Sequence, residues 1–475
     1  MALPDVTVSI IDGALGLSAG ALEGLHAKIG VSSTGTANTV YSFGDQTTAK
    51  NTLGAGPLVE DTAFHLAVAG GPMLAVPVAA SNVGTVGTIT RVGTSPSPGL
   101  TTSGTPRDKY DVIAVVVAGG VVGTASFKIS FDGGVTYSPV YATAASITTF
   151  VAATGLTLAW TAGTYVASDS YTFSTVAPTY SASDLNTALD ALLADTREVE
   201  YVHVVGTVGG ATDTDKITNF VALASAVATK MATAEAAKRW EFAILEKPET
   251  AEGAFEASAT WAAFASRYIV AVGGRITIQS QVSGRQTSRS LAAALTPRTS
   301  LTPVQEHPGK VARGPLPGVL AMSRDERSTP GLDTARITSG RTFSGTNGFY
   351  ITNGKTAAAN GSDYADLPNL RVINKACRVA NAALLRWVND TVRVDKVTGK
   401  ILEVEAKAIE AYVNALLFAA LVSPKSASAV DIVVNREANI LSTKTMPVSV
   451  RITPVGYASF IPVDIGLVNP ALQVV

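Results

Sequence analysis

One cysteine, Cys377, stands in 475 residues, so no disulfide can form within the chain. It falls on the apolar stripe of an expected helix, which makes it a core thiol. Charge is also scarce, at 15% of residues, against roughly a quarter in soluble domains. The signs nearly cancel: 36 Lys and Arg against 37 Asp and Glu. There is no basic excess to hold nucleic acid or anionic lipid, so neither is an expected partner. Long hydrophobic runs are missing. Residues 66–80 and 112–122 fall short of the roughly 20 residues that span a bilayer, and both contain Gly or Pro. The start, MALPDVTVSII, lacks the basic and apolar regions of a secretory signal. The chain is therefore expected to be made in the cytoplasm without membrane insertion. The four histidines, His26, His65, His203 and His307, lack metal-ligand spacing. No Ser/His/Asp or Cys/His signature and no carboxylate pair stands out. Neither enzyme nor cofactor is expected.

What is present is strand pattern at both ends. Val6, Val8 and Ile10 alternate with Thr7 and Ser9. Val448, Val450 and Ile452 alternate with Ser449, Arg451 and Thr453. Ile461, Val463, Ile465 and Leu467 alternate with Pro462, Asp464 and Gly466. A period of two marks half-buried strands. Pro462 has no N–H to donate, so the last strand suits a sheet edge. Strands at chain ends can add to the sheets of other copies, and apolar residues at 47% with little charge suit a surface buried against neighbours.

Between the ends the composition changes four times. Residues 21–80 hold a helix expected after Gly56-Pro57, where Pro fits a helix start. Residues 81–177 are rich in Gly, Thr, Ser and Val and nearly free of charge, which reads as an inserted all-β domain. Residues 178–360 alternate strands and helices, a layered α/β core with a largely parallel sheet, and end in an irregular connector over 281–360. Helices are expected from Ser183 with Leu185, Leu189 and Leu192 on one face, and from Thr212 or Asp213 with Ile217, Phe220, Ala224, Val227 and Met231. Residues 361–475 carry two helices and then strands, an α+β C-terminal domain whose two helices cover one face of its sheet. Together with an arm over 1–20, the fold class is α+β and α/β, multidomain.

Several motifs invite chemistry and favour blander readings. Ser130 to Tyr137 reads SFDGGVTY, the Asp-box pattern Ser-x-Asp-x-Gly-x-Thr-aromatic. One copy makes a hairpin turn whose aromatic packs beneath it, not a propeller. Gly354-Lys355-Thr356 lacks the P-loop glycine, since Phe349 stands there. Gly206 to Gly210 has Val208 where a dinucleotide loop needs glycine. Glu60, Asp61 and His65 fall on one helix and read as a solvated face. The arginines Arg285, Arg289, Arg298, Arg313, Arg324, Arg327, Arg336 and Arg341 read as intersubunit ion-pair partners.

The order of the C-terminal segments resembles the contractile phage tail sheath family: the helix RVINKACRVANAALLRW, a helix ending NALLFAALVSP, then VDIVVNREANI and VSVRITPVGYASFIPVDIGL. Asn435 and Asn439 stand near the family's Asn, and Thr453-Pro454-Val455 at its bend. Gly340-Arg341-Thr342 resembles the entry to its C-terminal domain. The resemblance covers residues 178–475 and, loosely, the N-terminal strand. It implies a structural subunit that forms stacked six-fold rings around an inner tail tube and contracts to drive the tube through a cell envelope. It also implies baseplate and tail terminator partners, a place in the virion tail, and assembly in the bacterial host cytoplasm. Sheaths of tailocins and related contractile injection systems belong to the same family. The subunit-linking strands it implies are Val6, Val8 and Ile10, the Val448–Ile452 strand, and Ile461 to Leu467. Other virion structural or decoration roles, or glycan binding through the β insertion, are the alternatives.

Overall fold

A computed structural model describes residues 23–93 and 98–467; Val6, Val8 and Ile10 lie outside them. The chain forms two compact units, divided between Leu385 and Arg386.

The first unit is built on a six-stranded sheet in the order Tyr41–Phe43, Met73–Val78, His26–Val31, Tyr201–Val204, Phe242–Glu246, Ile269–Val272. All neighbours run parallel except Tyr41–Phe43. Parallel strands are covered on both faces and tend to be apolar throughout, and MLAVPV and IVAV are. HAKIGV and YVHV are not. In register, Ala27 pairs with Val202 and Lys28 with His203, so side-chain alternation sorts apolar residues to one face and polar ones to the other.

The apolar face packs under two helices, Ala182–Ala194 and Asp213–Ala236. Each starts with a capping box, Ser181 with Asp184 and Thr212 with Asp215. The first cap is thus Ser181, two residues before the expected Ser183. Leu185, Leu189, Leu192, Phe220, Val227 and Met231 join Ile29, Val202 and Val204 in one core. Asp213–Ala236 has the length and composition to cross a membrane, but its apolar side is occupied by the sheet. Helices Pro57–Val68 and Ala292–Leu301 cover the other face, where Phe64, Leu291 and Leu295 meet Phe242, Ile244 and Val270.

Residues 85–176 form antiparallel strands in the order Tyr141–Ala142, Ser126–Ser130, Asp111–Ala118, Ser170–Val176, Thr85–Val86. They share a core that includes Phe127, Trp160, Tyr171 and Phe173. The Asp-box forms the expected turn: Asp132 accepts from the Thr136 amide and hydroxyl, at 2.8 and 2.7 Å, and Ser130 Oγ accepts from the Gly134 amide. Its aromatic does not pack beneath. Tyr137 is exposed, with Lys128 over its ring.

Residues 281–360 are more ordered than their Gly and Pro content implies. Gln286–Ser290 and Val319–Met322 flank Arg275–Gln279 in a three-stranded sheet, and Gly340–Phe343 pairs with Thr346–Ile351. The arginines here, expected to pair between subunits, are engaged within the chain. Arg289 pairs with Asp108 and Arg324 with Glu256. Arg298 donates to the loop carbonyls of Gly314 and Pro315, and Arg336 to the Ala357 carbonyl and to that of Ala262 at the end of a short helix. Buried loop backbone has acceptors that no strand satisfies, and a guanidinium brings five donors to them. Lys355, from the rejected phosphate motif, pairs with Asp366.

Helix Leu367–Leu384 belongs to this first unit, so it does not share the C-terminal sheet as the sequence reading had it. Cys377 is half-buried on it, and burial pushes its thiol pKa up. Arg371 anchors the helix. Its guanidinium meets Glu200 at 2.5 and 3.1 Å, both side chains nearly fully buried, and Glu200 also accepts from the Gly24 amide. Removing one partner strands the other charge in the core, which costs about 3–5 kcal/mol. Glu200→Ala should lower unfolding stability by about that amount in urea titration, and Glu200→Leu with Arg371→Met should recover most of it.

Candidate assembly surface and the buried ionic network

The second unit contains a two-stranded sheet. Ala429–Val434 pairs antiparallel with Val448–Thr453, with Val434 opposite Val448, Ile432 opposite Val450 and Val430 opposite Ile452. These residues share a face. Ile432 and Val434 are buried there with Ala406, Ile409, Val413 and Leu417 of helix Glu403–Leu417. Arg436 fastens the strand end to that helix through Glu403 and Glu410. Hydrogen bonds from Arg436 hold both carboxyls below their ordinary range.

Val448, Val450 and Ile452 are only half-buried, while Ser449, Arg451 and Thr453 face solvent. A two-stranded ribbon has two unpaired edges, and such edges template pairing with another chain. Residues 461–467, read from sequence as a strand, form none: they have no sheet to join within the described residues. Their apolar side chains lie in water. Exposure is 75% at Ile461, 69% at Val463, 92% at Ile465 and 105% at Leu467, with Phe460 beside them at 93%. Scattered exposed apolar residues are ordinary, but a contiguous run marks an interaction site.

The first unit holds a feature that the sequence reading misplaced. Glu60, Asp61 and His65 do not form a solvated face; Asp61 and His65 are buried and Glu60 is half-buried. Asp61 contacts Lys28 Nζ at 3.0 Å and His203 Nδ1 at 3.1 Å, and His203 Nε2 lies 3.2 Å from Glu246. Thr296 also accepts from Lys28. His26 lies against His65 and stacks on Tyr201, with ring centroids at 4.0 and 4.9 Å. A helix packed under a sheet turns its polar residues inward where the strands present charge, and Lys28 and His203 in register are that signal.

Charge balance sets the protonation here. Burial pushes Lys28 down, against the pull of Asp61. Burial also pushes the His203 imidazole down, but its contacts with Asp61 and Glu246 outweigh this and leave its pKa raised. Burial and the Lys28 charge hold His26 down to about 3, and His65 is likewise depressed by burial and by His26. Asp61, His203 and Glu246 place donor atoms within 4.8 Å of one another, a spacing that suits a metal ion. The Lys28 ammonium already neutralises Asp61, and an added divalent cation would face it. The cluster is an internal ion network that joins strand to helix.

The sequence matches the model of the DUF2586 N-terminal domain over residues 3–355 and that of the DUF2586 C-terminal domain over residues 363–472. The chain belongs to the DUF2586 family. No curated protein matches it. Solved structures do. The helical sheath of the anti-feeding prophage in its contracted state aligns with a TM-score of 0.55 at 12% identity, over 98% of this chain and 99% of that one. A chain of the contracted anti-feeding prophage baseplate gives 0.54 at 13%, over all of both chains. The contracted PVC sheath complex of an extracellular contractile injection system gives 0.53 at 11%, over 98% of each. The DUF2586 chain thus has the fold of contractile sheath proteins along its length.

Of the positions expected from sequence to link subunits, Val448, Val450 and Ile452 sit on a paired strand with a free edge, and Ile461, Val463, Ile465 and Leu467 stand exposed and unpaired among the described residues. His203 generates a pH prediction. A raised folded pKa contributes stability that is complete below the ordinary 6.5 and is lost as pH rises through the folded value. His26 and His65, depressed, contribute above 6.5 and lose it as pH falls. The histidines therefore favour greatest stability near pH 6.5. Melting temperature should fall on going to about pH 9, and His203→Gln should flatten that limb. An unchanged alkaline limb in the variant would contradict the assignment.

Proposed function

We propose that this chain is the structural subunit of a contractile tail sheath. Copies polymerise as stacked six-fold rings around an inner tube, and contraction drives the tube through the target envelope. The observation that carries this reading is the exposed apolar run at residues 460–467, beside a two-stranded sheet with unpaired edges, on a chain with the sheath fold. Burying one Val, Ile, Leu or Phe side chain contributes about 1.5–3 kcal/mol. Several together reach the scale of the association cost, on the order of 4–15 kcal/mol. The main-chain ladder adds register, since alternate side chains enter the partner's face.

In this reading the 461–467 arm adds a strand to the C-terminal sheet of a neighbouring copy, and the N-terminal Val6, Val8 and Ile10 do the same elsewhere. The Val448–Thr453 strand offers the receiving edge. The inner tube, baseplate and tail terminator are the remaining partners, the residues 81–177 insertion faces outward, and the site of action is the tail. No step of chemistry is involved, and the chain acts by assembly.

Negative-stain electron microscopy of the purified protein tests the proposal. The full chain should form long hollow tubes. A chain ending at Phe460, and Ile465→Asp with Leu467→Asp in the full chain, should give short rings or monomers. Tubes of unchanged length from both variants would overturn linking by this arm. A monomeric full chain at every concentration would overturn the sheath reading itself.

A further inference from the structure

The Asp-box turn has a use that assembly leaves open. It meets the loop preceding the Gln286–Ser290 strand in an open cleft of about 290 Å³, at the small end of the range for ligand sites. Thr136, Tyr137 and Ser138 form one wall, Ser283 and Arg285 the other.

The charge in this cleft is positive and unspent. Arg285 stacks over Phe131, with its guanidinium carbon 4.7 Å from the ring centroid. The Lys128 ammonium lies 4.5 Å over the ring of Tyr137. Among the described residues no carboxylate pairs with either, in contrast to Arg289, Arg313 and Arg324 of the same region, and no carboxylate lines the cleft. Asp132, behind the turn, is held by Ser130 and Thr136 and by the Gln286 amide.

The hydroxyls are spent as donors. Thr136 Oγ1 donates to Asp132 at 2.7 Å, Ser138 Oγ to the Pro139 carbonyl at 2.8 Å, and Ser283 Oγ to Ser280 Oγ at 3.0 Å. A hydroxyl has one proton and two lone pairs; Ser138 Oγ already accepts from the Ile129 amide at 3.0 Å, and what is left on the three hydroxyls is acceptor capacity. The cleft thus presents one lining cation, Arg285, together with a set of lone pairs. A sulfate or a phosphodiester answers the cation but brings no donors to the hydroxyls. An acidic side chain of another protein has the same lack. A carboxylated sugar answers both, with its carboxylate on Arg285 and its ring hydroxyls donating to Thr136, Ser138 and Ser283.

We infer that this cleft binds an acidic sugar residue, either as a free monosaccharide or as one unit of a polysaccharide chain. The inference is independent of assembly, and concerns binding without catalysis.

Saturation-transfer NMR and titration calorimetry on the full chain test it, with galacturonic acid, a galacturonate tetramer, galactose and inorganic sulfate as probes. Galacturonate should bind saturably, and galactose at least about 10-fold more weakly, the loss of one charge-assisted contact. Arg285→Gln should weaken galacturonate by about 10-fold or more. Ser283→Ala, at an exposed position where folding is not at stake, should weaken it by several-fold. A tetramer that binds more tightly than the monosaccharide identifies a polysaccharide as the source, and equal binding identifies the free sugar. Absence of saturable binding by both acidic sugars would overturn the inference. So would sulfate displacing galacturonate at equal concentration, or unchanged affinity in both variants.

Discussion

Backbone donors and apolar side chains that find no partner in their own chain must find one outside it. That constraint governs the C-terminal end of this protein. Residues 460–467 carry five large apolar side chains in water, and the Val448–Thr453 strand beside them in sequence has a free edge. Both features carry a free-energy cost in isolation that pairing would offset. The first unit is held by contacts of its own.

Two kinds of contact lie on the two faces of one sheet. One face is apolar and packs by volume, Phe220 and Val227 against Ile29 and Val204. The other is partly ionic, Lys28, Asp61, His203 and Glu246 in mutual contact. Buried ions contribute little net stability against apolar replacements, but they penalise any misalignment of strand and helix. The same geometry recurs at Glu200 and Arg371, which tie the strand start, Gly24 and a helix distant in sequence. In the proposed sheath role, such contacts would hold each subunit to one arrangement.

Much of the fold was legible from periodicity. The helices over Leu185 and Phe220, the parallel alternation of strand and helix, the β-rich insertion and the Asp-box turn follow from local pattern, because each is decided by neighbours in sequence. The ionic network was not legible from Glu60, Asp61 and His65 alone. Charged residues on a helix read as solvated until the facing strands are known, and the facing charge sits at residues 28, 203 and 246. The arginines of residues 285–336 misled for a similar reason: their acceptors are backbone carbonyls and distant carboxylates that carry no sequence signature. The expected last strand has the right alternation, but residues 461–467 form no strand and pair with nothing among the described residues.

The central claim is that residues 461–467 complete a sheet on another copy of the same chain. A cryo-electron microscopy reconstruction of the assembled protein, at a resolution that traces main chain, tests it most directly. The account predicts that 461–467 is extended and hydrogen-bonded to the C-terminal sheet of a neighbouring copy, with Ile461, Val463, Ile465 and Leu467 buried or paired across that contact. Finding the segment folded onto its own subunit, or still in solvent within the assembly, would contradict it.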